Sequence, residues 1–510
     1  MNAIELSLFS SRISAVCDEM GAVLQRSAFS PNIKDRLDFS CAIFDANGEL
    51  CAQAAHIPVH LGSMAYAMRD IVSQVDWMLG DMLILNDPFL GGTHLPDVTL
   101  IAPVFVDDQL KAFVANRAHH ADIGAASPGS MPISRSLDEE GIVIPPSKLI
   151  RHGQQDEAFM NTLISKVSNQ VQSNGDFTAQ ISANQLGVER LRSLIELTGV
   201  NQFDNALIEL NDYAQRLSDA ALSTIPTGKY DFSDVMDDDG MGNMNIPISV
   251  CVNVADENIV VDFSGTAEQV HGNINCSLSV AAASVYYVFR CLMPANTPAC
   301  AGSFRRIEIK APEGCLLNAK RPAAVAAGNV ETSTRVVDVV MGALMLAIPE
   351  KMAAASQGSM NNVAMGGRGN KSWDYYETIG GGMGAHPQGD GLSAVQTHMT
   401  NTLNTPIESL ESHYPLRINR YEIRDNSAGK GVNVGGEGLI REYEFLDTAE
   451  VTLLTERRTT SPWGMLNGGE ACTGSNMLDG KVLPPKTSFH VKKGARLTIK
   501  TPGGGGYRSN

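Results

Sequence analysis

The chain has 510 residues, of which 43% are apolar and only 19% charged, with 47 glycines, 23 prolines and a formal net charge of −17. This length and apolar content can bury a large core and favour two or three lobes over one, while the negative charge excludes nucleic acid as a partner, because such binding depends on Lys and Arg neutralising phosphates. No apolar stretch reaches the roughly 18 residues of a spanning helix, no basic segment suits an anionic membrane surface, and the start MNAIELSLFSSRISAVCDEMG lacks the regions of a signal peptide, so membrane association is excluded and a cytoplasmic location is expected.

Residues 3–27 place Ile4, Leu8, Ile13, Val16, Met20, Val23 and Leu24 at helical spacing, ahead of the break Ser30-Pro31-Asn32. DFSCAIFDANGELCAQAA follows, two apolar runs around Asn47-Gly48, a β-hairpin signal that puts Asp38 roughly opposite His56. The apolar spacing predicts a helix over 61–79, then buried strands in DMLIL, VTLIAPVFV and LKAFVANRA. Residues 154–223 read as helical, with a turn at Asn174-Gly175-Asp176, up to Pro226-Thr227-Gly228. Strands follow in YDFSDVMDD, IPISVCVNV, NIVVDFSG and FRRIEIKAP, with helices in SVAAASVYYVFRCLM and over 330–348. Beyond that the chain is dense in glycine (GGRG, IGGGMG, VGGEG, PGGGG). Such clusters have two readings, backbone N–H groups presented to an anion or tight backbone packing. No repeat period emerges. The expected class is α+β, with mixed, largely antiparallel sheets and packed helices in three lobes, 1–225, 226–350 and 351–510. Nine scattered cysteines without a CxxC pair give neither a disulfide framework nor a zinc ribbon.

The chemistry concentrates in NDPFLGGTHLPDVTLIAPVFVDDQLKAFVANRAHHADIG, residues 86–124. If its two strands form a hairpin closed around Asp107-Asp108-Gln109, paired positions sum to about 216 and Asp97 falls opposite His119, with His94 three residues before Asp97. Two imidazoles and a carboxylate at the open end of a hairpin suit a divalent zinc, iron or manganese ion with positions left for water or substrate. The alternative is that polar residues here cap turns, His120 and Asp122 above all. His56 and His60, in AQAAHIPVHLG, are candidate pocket residues for substrate.

RLDFSCAIFDANGELCAQAAHIPVHLG, NDPFLGGTHLPDVTLIAPVF and HHADIG, together with VAAGNVETSTRVVDVVMGAL (325–344), IGGGMGAHPQGDGLSAVQTHMTNTLNTPIESLE (379–411) and TPGGGGYR (501–508), closely resemble the hydantoinase B/oxoprolinase family over essentially the whole chain. The resemblance implies a subunit that works with an ATP-using hydantoinase A-type partner, in a hetero-oligomer such as α2β2, to open lactams or hydantoins or to carboxylate ketones. It also implies a metal site on this chain: His94 and Asp97 from THLPD, His119 from HHAD, and Asp38 from RLDFS as a fourth ligand. No GxxxxGK[ST] motif occurs, so ATP chemistry is expected on the partner.

The expected reaction is attack on a cyclic amide by water activated at the metal, with His120, Asp122 or Glu331 (in NVETS) as the general base, His120 preferred. His398, in THMTNTLNTPIE, is a further candidate for the substrate pocket or the partner interface. The competing readings are a ketone carboxylase component, a stand-alone non-haem iron oxygenase and a non-catalytic scaffold.

Overall fold

A computed structural model, which describes residues 1–54, 57–368 and 372–509, begins with a helix whose start is fixed by its own side chains. Asn2 accepts the amides of Ile4 and Glu5 at 3.0 and 2.9 Å, and Glu5 accepts the Asn2 amide at 2.9 Å. This capping box opens α1 (Ala3–Ser27), whose stripe Phe9, Ile13, Val16, Met20 and Leu24 is buried.

After the short α2 (Pro31–Lys34) come β1 (Phe39–Asp45), β2 (Leu50–Gln53), α3 (Pro58–Ser73), β3 (Met82–Leu85), β4 (Asp97–Val106), β5 (Gln109–His119), β6 (Ser147–Arg151) and β7 (Gln154–Gln155). The strands form one antiparallel sheet in the order β2-β1-β5-β4-β3-β6-β7. Its two faces have separate cores: Cys41 and Ile43 pack with residues of α1, while Ala42 and Phe44 pack with Met64, Met68 and Ile71 of α3. Burial on both faces explains why these strands read as unbroken apolar runs.

The β4–β5 hairpin has the expected register, with Asp97 opposite His119, and a bulge after Val104 shifts the pairing near the turn. Asp107 and Asp108, at φ 50° and 58°, make the two-residue connection whose twist suits a hairpin. Helix α3 begins three residues before the expected 61 and ends six before 79, because Pro58 sits in its first turn with φ already set for a helix.

Helices α4 (Glu157–Ile164), α5 (Gln170–Thr198) and α6 (Val200–Leu222) follow. The expected turn at Asn174-Gly175-Asp176 is absent: α5 runs straight through it. A tertiary contact overrides the local turn signal there. Gly175 lies flush against the Phe29 ring, where a Cβ would come within 2.5 Å, and the Asp176 carboxylate accepts the amides of Phe29 and Ser30 at 2.7 and 3.0 Å.

The second sheet holds β8 (Gly228–Asp238), β9 (Met244–Val254), β10 (Ile259–Asp262) and β11 (Ile307–Lys310) in the order β11-β10-β9-β8, antiparallel except for the β10–β11 pair. Apolar residues of α7 (Leu278–Cys291) and α8 (Ser333–Ala347) share its core. A single π-helical turn, Gly328–Thr332, leads into α8.

The remaining chain contributes β12 (Asn362–Arg368), β13 (Ser372–Glu377), α9 (Ile407–His413), β14 (Leu416–Arg424), β15 (Gly438–Phe445), β16 (Ala449–Leu454), β17 (Ser475–Leu478), β18 (Lys481–Leu483), β19 (Lys486–Val491) and β20 (Arg496–Lys500). They build two antiparallel sheets, β13-β12-β16-β19 and β14-β15-β20-β17-β18. Val363, Tyr375, Val451 and Leu453 from one meet Leu439, Tyr443, Leu497 and Ile499 from the other in a common core. The fold class is α+β with mostly antiparallel sheets, as expected.

The glycine-dense segments pack on one another. The amides of Gly503, Gly504, Gly505 and Gly506 donate to the carbonyls of Cys472, Gly436, Ala355 and Gly469. A Cβ on Gly435 would lie 1.8 Å from Gly504 O, and one on Gly504 2.0 Å from Met383 O. Of the two readings of these clusters, backbone packing is the one observed. Among the described residues no helix is long and apolar enough to cross a membrane.

Candidate metal centre

The β4–β5 register brings two of the expected ligands face to face. Asp97 opens β4, His119 closes β5, and His94 arrives from the loop before β4. Asp97 Oδ1 lies 3.1 Å from both His94 Nε2 and His119 Nδ1. Asp97 and His94 are fully buried and His119 nearly so. Among the described residues, these three form a group whose candidate ligand atoms all lie within 4.8 Å of one another.

This donor set fits a divalent cation. The Nδ1 of His94 faces the Ala326 carbonyl at 3.0 Å, and a carbonyl only accepts, so Nδ1 carries the proton and Nε2 presents a lone pair. That lone pair would stand 3.1 Å from a carboxylate oxygen, and a positive charge between the two, a metal ion or a proton, relieves the repulsion. Donors sharing a tetrahedral ion with bonds of about 2.0–2.1 Å stand about 3.3 Å apart, close to the 3.1 Å observed here.

The Asp97 carboxylate is the charge that would hold such a cation. Burial would raise the Asp97 carboxyl, but His94, His60 and His119 outweigh it and hold it well below the usual carboxylate range. For His94 burial is again the largest influence and acts downward, yet the Asp97 charge and hydrogen bond bring the net shift upward. Burial prevails at His119 and lowers it. The His119 ring is stacked on Tyr376 at 4.6 Å and 12°.

Asp38 stands beside the three rather than among them. Its carbonyl accepts the His119 amide at 3.0 Å, while its carboxylate oxygens lie 3.9 Å from His60 Nε2 and 4.0 Å from Arg36 Nη2. His60, expected in a substrate pocket, is carried by α3 to the second oxygen of Asp97, with Nε2 3.2 Å from Oδ2. His56 lies outside the described residues. His398, held at φ 58°, turns Nδ1 to the Tyr287 hydroxyl at 3.4 Å and Nε2 toward Asp338 at 4.0 Å.

The side chains expected as bases make their described hydrogen bonds elsewhere. His120 Nε2 meets Gln180 Oε1 at 2.9 Å and its ring lies against Phe177. The Asp122 carboxylate accepts the amides of Gly124 and Ser168 at 2.8 and 2.6 Å, the turn-capping role open to it from the sequence. Glu331 accepts from the Met360 amide and Asn362 Nδ2 at 2.9 and 2.6 Å. Burial, reinforced by Glu456, pushes it up to about 8.

Sequence reasoning missed Thr93, Asn329 and Tyr376. Thr93 stands next to a predicted ligand and Asn329 two residues from Glu331, so each had a neighbouring signal. Tyr376 had none, because only packing of β13 against the first sheet puts its ring on His119. A surface groove of about 450 Å³ between α3, residues 88–91 and the start of α7 is lined by none of His94, Asp97 and His119.

A model of hydantoinase B/oxoprolinase matches residues 2–509. The chain belongs to that family. It is 40% identical to an uncharacterised protein of Methanocaldococcus jannaschii, over 100% of this chain and 91% of that one. It is 39% identical to 5-oxoprolinase 1 of Arabidopsis thaliana, over 100% of this chain but 42% of that one, and 32% identical to a putative D-/L-hydantoinase subunit of a Pseudomonas species, over 99% and 90%. The solved structure of an ATP-dependent caprolactamase from Pseudomonas jessenii superposes with a TM-score of 0.93 at 27% identity, covering 100% of this chain and 91% of that one. The chain thus spans nine-tenths of some relatives and less than half of the plant oxoprolinase. The resemblance read from the motifs is borne out.

Proposed function

We propose that this chain is the metal-holding component of an ATP-dependent enzyme that hydrolyses a cyclic amide (a hydantoin, 5-oxoproline or another lactam), acting with an ATP-using polypeptide of the hydantoinase A type. The observation that carries the metal assignment is the convergence of His94, Asp97 and His119 in a buried site, with candidate ligand atoms that all lie within 4.8 Å of one another. The reaction class is supported by relatives that are an oxoprolinase, a putative hydantoinase subunit and an ATP-dependent caprolactamase. A separate ATP-using partner is supported by the Pseudomonas relative's being one subunit of a hydantoinase, by the 58% of the plant oxoprolinase that this chain does not cover, and by the absence of a Walker-type lysine loop.

Amide resonance makes the carbonyl a poor electrophile and the nitrogen a poor leaving group, so hydrolysis requires both activation of the amide and a stronger nucleophile. His94, Asp97 and His119 would hold zinc, manganese or iron, which when bound supplies an activated water or a polarised carbonyl at neutral pH. The chain fixes its own ligands: the Ala326 carbonyl sets the His94 tautomer, and Tyr376 fixes the plane of His119. Asp38 is adjacent for a fourth ligand position.

Of the expected bases, Asp122 is occupied by two backbone amides and Glu331, at about 8, carries its proton at neutral pH. His120 donates through Nε2 to Gln180, keeps a buried Nδ1 with no hydrogen-bond partner, and is kept neutral by burial. It is the one of the three with a free acceptor, and we assign it the base role. His398 and His56 are assigned to substrate contacts.

Elemental analysis of the purified chain and of Asp97→Ala tests the reading, each then assayed with the co-expressed partner for ATP-dependent hydrolysis of hydantoin and 5-oxoproline. Near-stoichiometric metal in the wild type, lost from the variant together with turnover, is the expected result. A metal-free wild-type chain that still supports turnover overturns it.

A further inference from the structure

The two oxygens of Asp97 have different surroundings. Oδ1 faces His94 and His119 at 3.1 Å each. Oδ2 accepts Thr93 Oγ1 at 2.8 Å and Asn329 Nδ2 at 3.0 Å, and His60 Nε2 stands 3.2 Å from it. An ionised carboxylate oxygen offers about two lone-pair sites, so these neighbours saturate Oδ2 and leave only Oδ1 for a cation.

Asn329 comes from the π-helical turn before α8, more than 230 residues from Asp97 in sequence, and its position is fixed from several sides. The amides of Ala327 and Gly328 donate to Asn273 O at 2.9 and 3.1 Å, and Asn275 Nδ2 holds Ala324 O at 3.0 Å. Glu140 Oε1 accepts the amides of Val325 and Ala326, both at 2.9 Å. Gly328 is seated so closely that a Cβ would lie 1.8 Å from Asn275 O. The same segment supplies the Ala326 carbonyl that orients His94. Residues 324–329 therefore touch two of the three ligands while being anchored by Asn273, Asn275 and Glu140, outside the hairpin that carries the ligands.

We propose that residues 324–329 form a latch in which Asn329, assisted by Thr93, is a positioning residue that restricts Asp97 to one-oxygen coordination, so that metal affinity is set from outside the hairpin carrying the ligands. The proposal rests on the metal reading above and makes a separate claim. Without the Asn329 amide, Oδ2 keeps only Thr93 and His60 and Asp97 loses its tie to residues 324–329, so the carboxylate can turn and bring Oδ2 toward the cation in a longer, weaker geometry that lowers affinity and raises the coordination number. Removing an outer partner of a metal ligand typically costs about 10- to 100-fold in metal affinity.

The test uses the full-length chain and the variants Asn329→Ala, Thr93→Val and Thr93→Ser. Each is titrated with Zn²⁺ in competition with a chromophoric chelator, and the visible spectrum of each is recorded with Co²⁺ in place of zinc. The expected result is one Zn²⁺ per wild-type chain, affinity about 10- to 100-fold lower in Asn329→Ala and Thr93→Val, a weaker cobalt d–d band in both, and recovery in Thr93→Ser, which keeps the hydroxyl. Melting curves in chelator identify any variant that fails to fold. If Asn329→Ala is lost in this way, the Thr93 pair decides. Wild-type binding with unchanged affinity and cobalt spectrum in the folded variants overturns the latch and leaves the metal reading intact. Absence of Zn²⁺ binding by the wild type overturns both.

Discussion

Asp237 shows what a single buried carboxylate does in this protein. It accepts the amides of Arg458, Thr459 and Thr460 at 2.6, 3.0 and 3.2 Å and the Thr460 hydroxyl as well. Burial acts to raise its pKa, but the Thr460 hydroxyl, the Arg335 charge and the amides outweigh it and bring it down to about 2. A carboxyl depressed in the folded state stabilises the protein above its unfolded pKa of about 3.9, and the contribution disappears as pH falls through the folded value. At neutral pH it is worth about 2 kcal/mol. Asp237→Asn should lower the unfolding free energy by about that much at pH 7 in urea titrations, with the gap to wild type closing between about pH 4 and pH 2. Nothing in the run Asp237-Asp238-Asp239 distinguishes this residue by sequence, because its partners lie more than 200 positions away. The proposed metal ligands differ: His94 and Asp97 are three residues apart, and one hairpin register supplies His119.

Among the elements, the glycine bundle makes the sharpest demand on side-chain size. Residues 502–506 run between backbone segments that leave no room for a methyl group, and the Cβ distances of 1.8 to 2.2 Å are to backbone atoms at Gly382, Gly435, Gly503, Gly504, Gly505 and Gly506. Backbone atoms cannot rotate aside as a side chain can, so the whole packing must shift. Gly504→Ala should cost at least about 3 kcal/mol or abolish soluble expression. Gly389→Ala, whose Cβ would meet nothing nearer than 3.7 Å, should leave the melting temperature within a few degrees of wild type. The glycine content announced irregular backbone, but which segments meet was not legible, since glycine has no side chain to carry a pattern. Helix α5 shows the opposite failure. Asn174-Gly175-Asp176 carries a clear turn signal, and contacts with Phe29 and Ser30 make helix the lower-energy state.

At the scale of the molecule, buried charges tie the second sheet and α8 to the last third of the chain. Arg457 Nη2 lies 2.7 Å from both Asp234 on β8 and Asp338 on α8, Arg335 meets Glu456 at 3.3 Å, and Lys486 pairs with Glu456. Arg36 likewise joins the start of the chain to β13 through the Tyr376 carbonyl at 2.7 Å. Removing one member of such a network leaves its partners charged and dry. Arg457→Ala should therefore cost roughly 3–5 kcal/mol, seen as a lower denaturation midpoint, whereas an exposed pair such as Arg192–Glu196 should be worth under about 1 kcal/mol.

The sequence by itself determined the α+β class, strands β1 to β5 of the first sheet but not β6 and β7, the β4–β5 register and the family, because hydrophobic period, turn chemistry and motif order are local properties of a chain. It also placed His94, Asp97 and His119 together, since one hairpin suffices to join them. Only the tertiary structure decided that Asn329 and Ala326 reach Asp97 and His94, that His60 lies beside Asp97, that Asp38 stands to one side, and that glycine-rich segments 380–384, 429–438, 464–469 and 502–506 meet. Each of these is a contact between parts of the chain distant in sequence, fixed by how separate cores dock, and no local pattern encodes a distance across that docking.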